Sequence, residues 1–305
     1  MPVAAVLGWP LSQTLSPQLH QAAYHAAGLD LEGWTYEARP TRPQDLPAAL
    51  AEIRDGRLAG ANLTTPHKQA AVPLLDALDP PAGTLGAVNT IYLPPCAGAN
   101  GDGDARRLLT GANTDVCGVL WALDHQLGLC DTSWDGQGPA LLLGSGGAAL
   151  AAALAWARLT AARQHGGLPT SPLLVAARDP AKAAQVATHA GPGGRVVAWD
   201  EVAGFVPSAR VLLQATTLTA QGHPIPGQDH LPPGPGLRVL DLNYGPGAQG
   251  LVTAARAAGA TVAADGLGML CAQAAAAVTL IARISPDLDA MAAAVGLRRG
   301  ERRGR

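Results

Sequence analysis

One segment constrains the architecture more than any other: ALLLGSGGAALAAALA, residues 140–155, an apolar run that breaks at glycines and resumes in an alanine-rich helical pattern. Gly144, Gly146 and Ala149 stand in the G-x-G-x-x-G/A positions, directly after a predicted strand and at a predicted helix start. The first glycine permits the tight turn and the second admits a pyrophosphate against the backbone. The helix N-terminus then supplies amide donors and positive potential. Alone the motif is weak, and a merely structural glycine turn is the alternative. In this strand-turn-helix setting it predicts dinucleotide binding, with Gly144, Ser145, Gly146, Gly147 and Ala148 as the cradle.

The flanking pattern agrees. After residue 140 come a helix over 147–163, a strand over 173–177, a helix over 180–189 and the strands RVVAW, VLLQA and RVLDL. These strands are apolar on both faces, as parallel strands covered by helices on both sides must be. Before Asp115 the order is again α/β: VAAVLG, a helix from Pro17 to Ala27, WTYEA, a helix near 45–55, GANLT, a helix from His67 to Leu78, AVNTIYL and a strand ending at Asn113. The stretch Pro94–Arg107 reads as an extended hairpin tip. The evenly apolar GLGMLCAQAAAAVTLIA, residues 266–282, reads as a buried helix. The fold class is therefore α/β, and 305 residues suit two domains. Aromatics make up only 4% of the chain, so its core must rest on Ala, Leu and Val at close backbone approach.

At the end of the second strand of the glycine-rich half, an Asp or Glu selects NAD through the ribose 2′-hydroxyl. Here the chain offers Ala177, Arg178 and Asp179, with Lys182 one helical turn on. Arg178 and Lys182 suit a 2′-phosphate and point to NADP. Asp179 either bonds a free 2′-hydroxyl or caps the helix that begins at Pro180.

Lysine usage is uneven: two lysines, Lys68 and Lys182, stand beside 19 arginines. An ammonium can give up its proton where its site favours the neutral amine, whereas a guanidinium stays charged. Lys68, in NLTTPHK after a strand, is thus a candidate proton-transfer group. Asn62, Thr64, Lys68, Asn89 and Asp115 all fall at strand ends of one layer, which predicts convergence on a cleft. Asp115 as a plain helix N-cap is the alternative.

Charge excludes other classes. The formal net charge is -2, but five arginines and Glu301 occupy the last eight residues, and without them 16 basic face 22 acidic residues. Such a body is a poor partner for nucleic acid, and the tail reads as a solvated end. Cys96, Cys117, Cys130 and Cys271 show no C-x-x-C spacing, so neither a disulfide framework nor a metal site is expected, and a reducing cytoplasm fits. The opening MPVAAVLGWP has no basic leader. The uncharged run 136–157 is divided by glycines and Pro139, which argues against a membrane span.

With these residues in hand, the chain resembles the shikimate dehydrogenases and their quinate/shikimate relatives over about Val3 to Val295. The likeness is carried by GWPLSQTLSPQLHQ, NLTTPHK, GAVNT, GANTD, DLNYGP and DGLGMLCAQA. The resemblance implies an N-terminal α/β substrate-binding and catalytic domain, residues 1–114 completed by 266–305. A Rossmann-type doubly wound NADP-binding domain over 115–265 is inserted, with a cleft between the two. It further implies reversible, NADP-dependent hydride transfer at the ring alcohol of shikimate, giving 3-dehydroshikimate, in aromatic amino acid biosynthesis. Lys68 and Asp115 form the catalytic pair. Thr14, Ser16, Thr64, Asn89, Tyr244 and Gln273 hold the substrate, a cyclic hydroxy acid. Thr216, Gly266 and Met269 join the cofactor contacts, no metal is needed, and the enzyme is a cytoplasmic monomer or homodimer. Relatives that use quinate or NAD, and a non-catalytic dinucleotide sensor on the same scaffold, are the alternatives. The chain departs from the family pattern at Thr14 (usually Ser), Ala177 (Asn), Asp179 (Thr) and Gln214 (Asn), and the turn after Tyr244 lacks a Thr.

Overall fold

The computed structural model describes residues 1–11, 14–95 and 107–297, which form two compact units, Met1–Thr114 with Cys271–Gly296 and Asp115–Leu270 with Leu297. The body of the hairpin tip and the arginine-rich tail lie outside the described residues.

The first unit is built on a six-stranded sheet in the order β2-β1-β3-β5-β6-β4. In chain order its elements are β1 (Val3–Gly8), α1 (Ser16–Ala26), β2 (Thr35–Pro40), α2 (Leu46–Arg54), β3 (Gly60–Leu63), α3 (His67–Ala70), β4 (Ala77–Leu78), α4 (Pro80–Leu85), β5 (Thr90–Tyr92) and β6 (Thr110–Ala112). β1 runs parallel to β2 and β3, whereas β5 is antiparallel to both β3 and β6. Buried Leu7, Leu46, Leu50, Ile53, Leu58 and Ile91 form its core. Each such side chain contributes about 1.5–3 kcal/mol by leaving water.

The second unit follows with α5 (Thr114–Trp121), β7 (Ala140–Leu143), α6 (Gly147–His165), β8 (Leu173–Ala176), α7 (Pro180–His189), β9 (Gly194–Val196), α8 (Val202–Phe205), β10 (Val211–Gln214), β11 (Arg238–Asp241), α9 (Gln249–Ala257) and β12 (Val262–Ala264). Its six strands are all parallel, in the order β12-β11-β10-β7-β8-β9. The strand order reverses between β7 and β10, so the carboxyl ends of these two strands flank the crevice where such sheets bind ligands. Ala149, Ala151, Ala152, Ala153 and Ala155 of α6 are fully buried. With methyl side chains the helix approaches the sheet closely, which is how a core with one Phe reaches close packing.

α10 (Leu267–Ala282), buried as its composition predicts, and α11 (Leu288–Ala294) complete the chain; α11 packs on α1 in the first unit. Three sequence expectations change. The predicted helix 67–78 is a single turn, α3, followed by a 3-10 turn and β4, because Pro73 interrupts it. α4, α9, α11 and β12 are additional, too short or too alanine-rich to show a clear period. The strand RVVAW ends at Val196, and Trp199 lies in a 3-10 turn instead. Among the described residues no helix is long and apolar enough to cross a membrane.

Candidate functional site

In the first unit polar side chains gather where β3, β5 and β6 lie side by side. Antiparallel pairing sets Thr90 opposite Ala112, and this register brings the Asn-Thr dipeptides 89–90 and 113–114 together. Asn89 Oδ1 accepts from the Thr114 amide at 2.7 Å and from the Thr90 hydroxyl at 3.1 Å. The Thr114 hydroxyl lies 3.1 Å from Asn89 Oδ1 and 3.3 Å from Gln273 Oε1, and it donates to one or the other. Asn89 Nδ2 donates to Gln273 Oε1 at 3.4 Å. Asn62 Nδ2 donates to Thr90 Oγ1 at 3.0 Å, while its Oδ1 accepts from the Tyr36 hydroxyl at 2.8 Å. Asn62, Asn89, Thr90, Thr114 and Gln273 are all buried. A buried polar group left without a partner costs about 1–3 kcal/mol, so these bonds fix one arrangement of amides and hydroxyls. Behind them His20 stacks on Tyr36 at 3.9 Å, and burial pushes its imidazole down to about 3.

Lys68 sits half-buried in α3, held at its backbone by Val88, whose amide donates to the Lys68 carbonyl at 2.7 Å. His67 precedes it, fully buried, with Nε2 2.8 Å from the Thr41 carbonyl. The Thr41 amide donates to the Gly8 carbonyl and the Trp9 amide to that of Thr65. The turn carrying Thr64 and Lys68 is thereby tied to the end of β1. Gly8 is required at that junction, since a Cβ there would run into the Thr64 methyl. Thr14 and Ser16 form a local pair at the start of α1: Thr14 Oγ1 donates to Ser16 Oγ at 3.1 Å and accepts from the Ser16 amide at 3.2 Å. Asp115 is the second residue of α5 and buried.

In the second unit a cavity of about 300 Å³ opens at the carboxyl ends of β7, β8 and β10. Gly144, Ser145 and Gly146, Ala177 to Asp179, Lys182, Trp199, and Ala215 to Leu218 line it. At Gly144 φ is +129°, and a Cβ would lie 2.7 Å from the Ala215 carbonyl oxygen, so only glycine suits this turn. At Gly146 a Cβ would meet nothing within 4 Å. That empty space above a helix N-terminus is what a phosphate needs, so the residues fit the dinucleotide expected of them. Gly147 and Ala148 begin α6 beside it.

Asp179 caps α7. Its Oδ1 accepts from the amides of Ala181 and Lys182 at 3.0 and 3.2 Å, and Lys182 Nζ stands 3.7 Å from Oδ2. The Ala215–Leu218 wall is held from beneath. Gln214 Nε2 donates to Thr216 Oγ1 at 2.8 Å, its Oε1 accepts from the Thr216 amide at 3.0 Å, and Asn243 Nδ2 reaches the Thr216 carbonyl at 2.8 Å. Asn243 in turn bonds Asp241, whose buried carboxyl is raised above its usual range by desolvation.

Tyr244 is 38% exposed beyond β11, Gly266 packs against the Leu242 carbonyl and Met269 is buried in α10, and none of the three lines the cavity at Gly146. A larger cavity, about 500 Å³, beside α9 and β12 contains none of the predicted site residues. The sequence reading passed over Tyr36, Thr90 and Thr114, although the twin Asn-Thr dipeptides were a visible signal. It also passed over Trp199, Thr217 and Leu218. Among the described residues no cluster of His, Cys, Asp and Glu has metal-binding geometry.

Comparison with known proteins places this arrangement. Residues 6–91 match the family described as the shikimate dehydrogenase substrate binding domain. The shikimate dehydrogenase (NADP(+)) of Methylobacterium radiotolerans is 36% identical over 275 residues, 90% of this chain and 88% of its own. The crystal structure of a Thermus thermophilus shikimate 5-dehydrogenase in complex with shikimate aligns with a TM-score of 0.74 and 34% identity, covering 99% of both chains. A second structure of the Thermus enzyme, in complex with NADP(H) and shikimate, aligns at 0.72 and 32% identity over 96% of this chain and 98% of the other. Likeness of this extent, spanning both units and every motif quoted above, makes the chain a member of the shikimate dehydrogenase family.

Proposed function

We infer that the protein catalyses the reversible NADP-dependent interconversion of shikimate and 3-dehydroshikimate. The observation that carries this reading is the buried Asn62–Thr90–Asn89–Thr114–Gln273 network beside the Lys68 turn, in a chain that aligns end to end with an enzyme crystallised with shikimate. Such a set of fixed amides and hydroxyls suits a ring bearing several hydroxyl groups, because each unpaired group would leave a buried partner unsatisfied. In this reading residues 1–114 with 266–305 bind the substrate, and residues 115–265 bind the cofactor.

Thr14 and Ser16 hold the substrate carboxylate, while Thr64, Asn89, Tyr244 and Gln273 complete its hydrogen bonds. In the oxidising direction Lys68 takes the proton of the reacting hydroxyl, and Asp115 orients that hydroxyl and the Lys68 side chain. The C–H bonding pair leaves the same carbon as hydride. NADP, when bound, supplies the hydride acceptor. Gly144 to Ala148 cradle its pyrophosphate, Thr216, Gly266 and Met269 add contacts, and Arg178 with Lys182 reads the 2′-phosphate. The placement of Asp179 as a cap supports NADP, since its Oδ1 is engaged by backbone amides. The setting that fits these readings is cytoplasmic, with the chain acting as a monomer or homodimer.

The test is absorbance at the reduced-nicotinamide band with shikimate and quinate, each with NADP and NAD. Shikimate with NADP is the expected best pair. Arg178→Ala is expected to raise KM for NADP about tenfold while leaving NAD nearly unaffected, the loss of one charged partner. Faster turnover with NAD, or with quinate, would overturn the corresponding half of the reading.

A further inference from the structure

The cavity of the second unit is lined by an aromatic side chain to which none of the family motifs refers. We propose that Trp199 is the platform on which the adenine ring of the dinucleotide stacks, a role that rests on the NADP reading above. Topology places it there. β10, β7, β8 and β9 are neighbours in one parallel sheet, so their carboxyl ends lie along one edge in that order. Adjacent strands are about 4.8 Å apart, so from β7 to β9 the edge spans roughly 10 Å. The phosphate cradle follows β7, Arg178 follows β8, and the 3-10 turn Trp199–Glu201 follows β9. A dinucleotide with its pyrophosphate at Gly146 and its ribose 2′-position at Arg178 delivers its adenine next along that edge.

The indole has the two sides that a platform requires. Its ring packs against the apolar cluster that contains Leu141, Leu174, Val202 and Val206, which fixes it. It also lines the cavity, and among the described residues the guanidinium groups that lie over tryptophan rings belong to Arg42 and Arg163, not to Arg178. A half-buried indole held on one side and open on the other offers a flat polarisable surface at little entropic cost. Adenine is the planar, apolar-faced part of the ligand that such a surface recognises. Arg178, at the same cavity, is left for the phosphate.

Calorimetric titration of the full chain with 2′,5′-ADP, NADP and NAD tests the assignment without turnover. Trp199→Ala and Trp199→Leu are expected to weaken all three ligands together, roughly tenfold, as for the loss of one stacked base. Leu keeps an apolar group against the core and so separates stacking from folding. Trp199→Phe, which retains a ring, is expected to bind within about threefold of the original, and Arg178→Ala to weaken only the two 2′-phosphate ligands. KM for shikimate at saturating NADP is expected to stay unchanged in every Trp199 variant. Unaltered affinity for 2′,5′-ADP and NAD in the Ala and Leu variants, or weakening confined to the 2′-phosphate ligands, would overturn the role of Trp199 alone. If the unsubstituted protein binds none of the three ligands, the dinucleotide reading falls and the Trp199 assignment with it.

Discussion

The two sheets of this protein have six strands each and opposite chemistry. In the first unit the mixed sheet buries a chain of side-chain donors and acceptors running from Tyr36 through Asn62, Thr90, Asn89 and Thr114 to Gln273. In the second, the parallel strands are mostly apolar, with buried Gln214 and Asp241 only at their carboxyl ends, and the crevice is shaped by backbone at Gly144, Gly146 and Ala215. The contrast shows how each unit suits its proposed ligand. A small polyhydroxylated acid offers few atoms, so it is recognised by fixed side-chain dipoles. A long dinucleotide offers phosphates and flat rings, so it is recognised by amides, empty space and an aromatic surface.

The sharpest way to break this division is to remove the amine of the first unit. Lys68→Ala is expected to lower kcat by about 10²- to 10⁴-fold while leaving NADP affinity, measured by titration, unchanged. Lys68→Arg should fail as well, because a guanidinium does not surrender its proton. Near-normal turnover in either variant would remove Lys68 from the chemistry.

Next in size, Asn89→Ala removes the acceptor of the Thr114 amide inside the first unit. The expected loss is about 2–4 kcal/mol of unfolding free energy, read from urea titration. A loss below about 1 kcal/mol would mean that the network is not a stabilising frame.

The first unit also carries a pH dependence, at His20. His20 is held to about 3 by burial, well below the 6.5 of an exposed imidazole. Between those values the unfolded chain binds a proton that the folded one does not. Stability should therefore fall as pH drops below about 6.5, by about 1.4 kcal/mol per pH unit from this group, and be independent of it above. His20→Phe keeps a ring against Tyr36 and is expected to flatten that limb between pH 7 and 5. An unchanged slope would assign the acid sensitivity to other groups.

The smallest expected effect sharpens the comparison from the other side. Gly146→Val places a side chain where nothing lies within 4 Å of the Cβ. Its melting temperature should stay within a degree or two while KM for NADP rises roughly tenfold and KM for shikimate does not. Concerted loss of stability and binding would show that the space is structural.

The turn at 144–147, the α/β order of both halves and the capping role open to Asp179 were readable in the sequence. Each depends on residues adjacent in the chain, where local backbone geometry decides the outcome. NLTTPHK also announced Lys68, but the helix predicted to follow it stops after one turn, because Pro73 and the pairing of β4 with β6 override the local pattern. Trp199 reads as a strand residue beside two valines and a preceding Arg, yet β9 ends at Val196 and releases it into a turn at the cavity. No local rule reveals that.

By itself, then, the sequence determined the α/β order, the glycine turn at 144–147 and the family to which the chain belongs. Only the tertiary structure decided which distant groups share a hydrogen bond. Asn89 meets Gln273 across 184 residues of chain and Tyr36 meets Asn62 across 26, because strand register and helix packing set those distances. Register is a property of whole sheets, fixed by which faces are buried, and it has no signature at any single position.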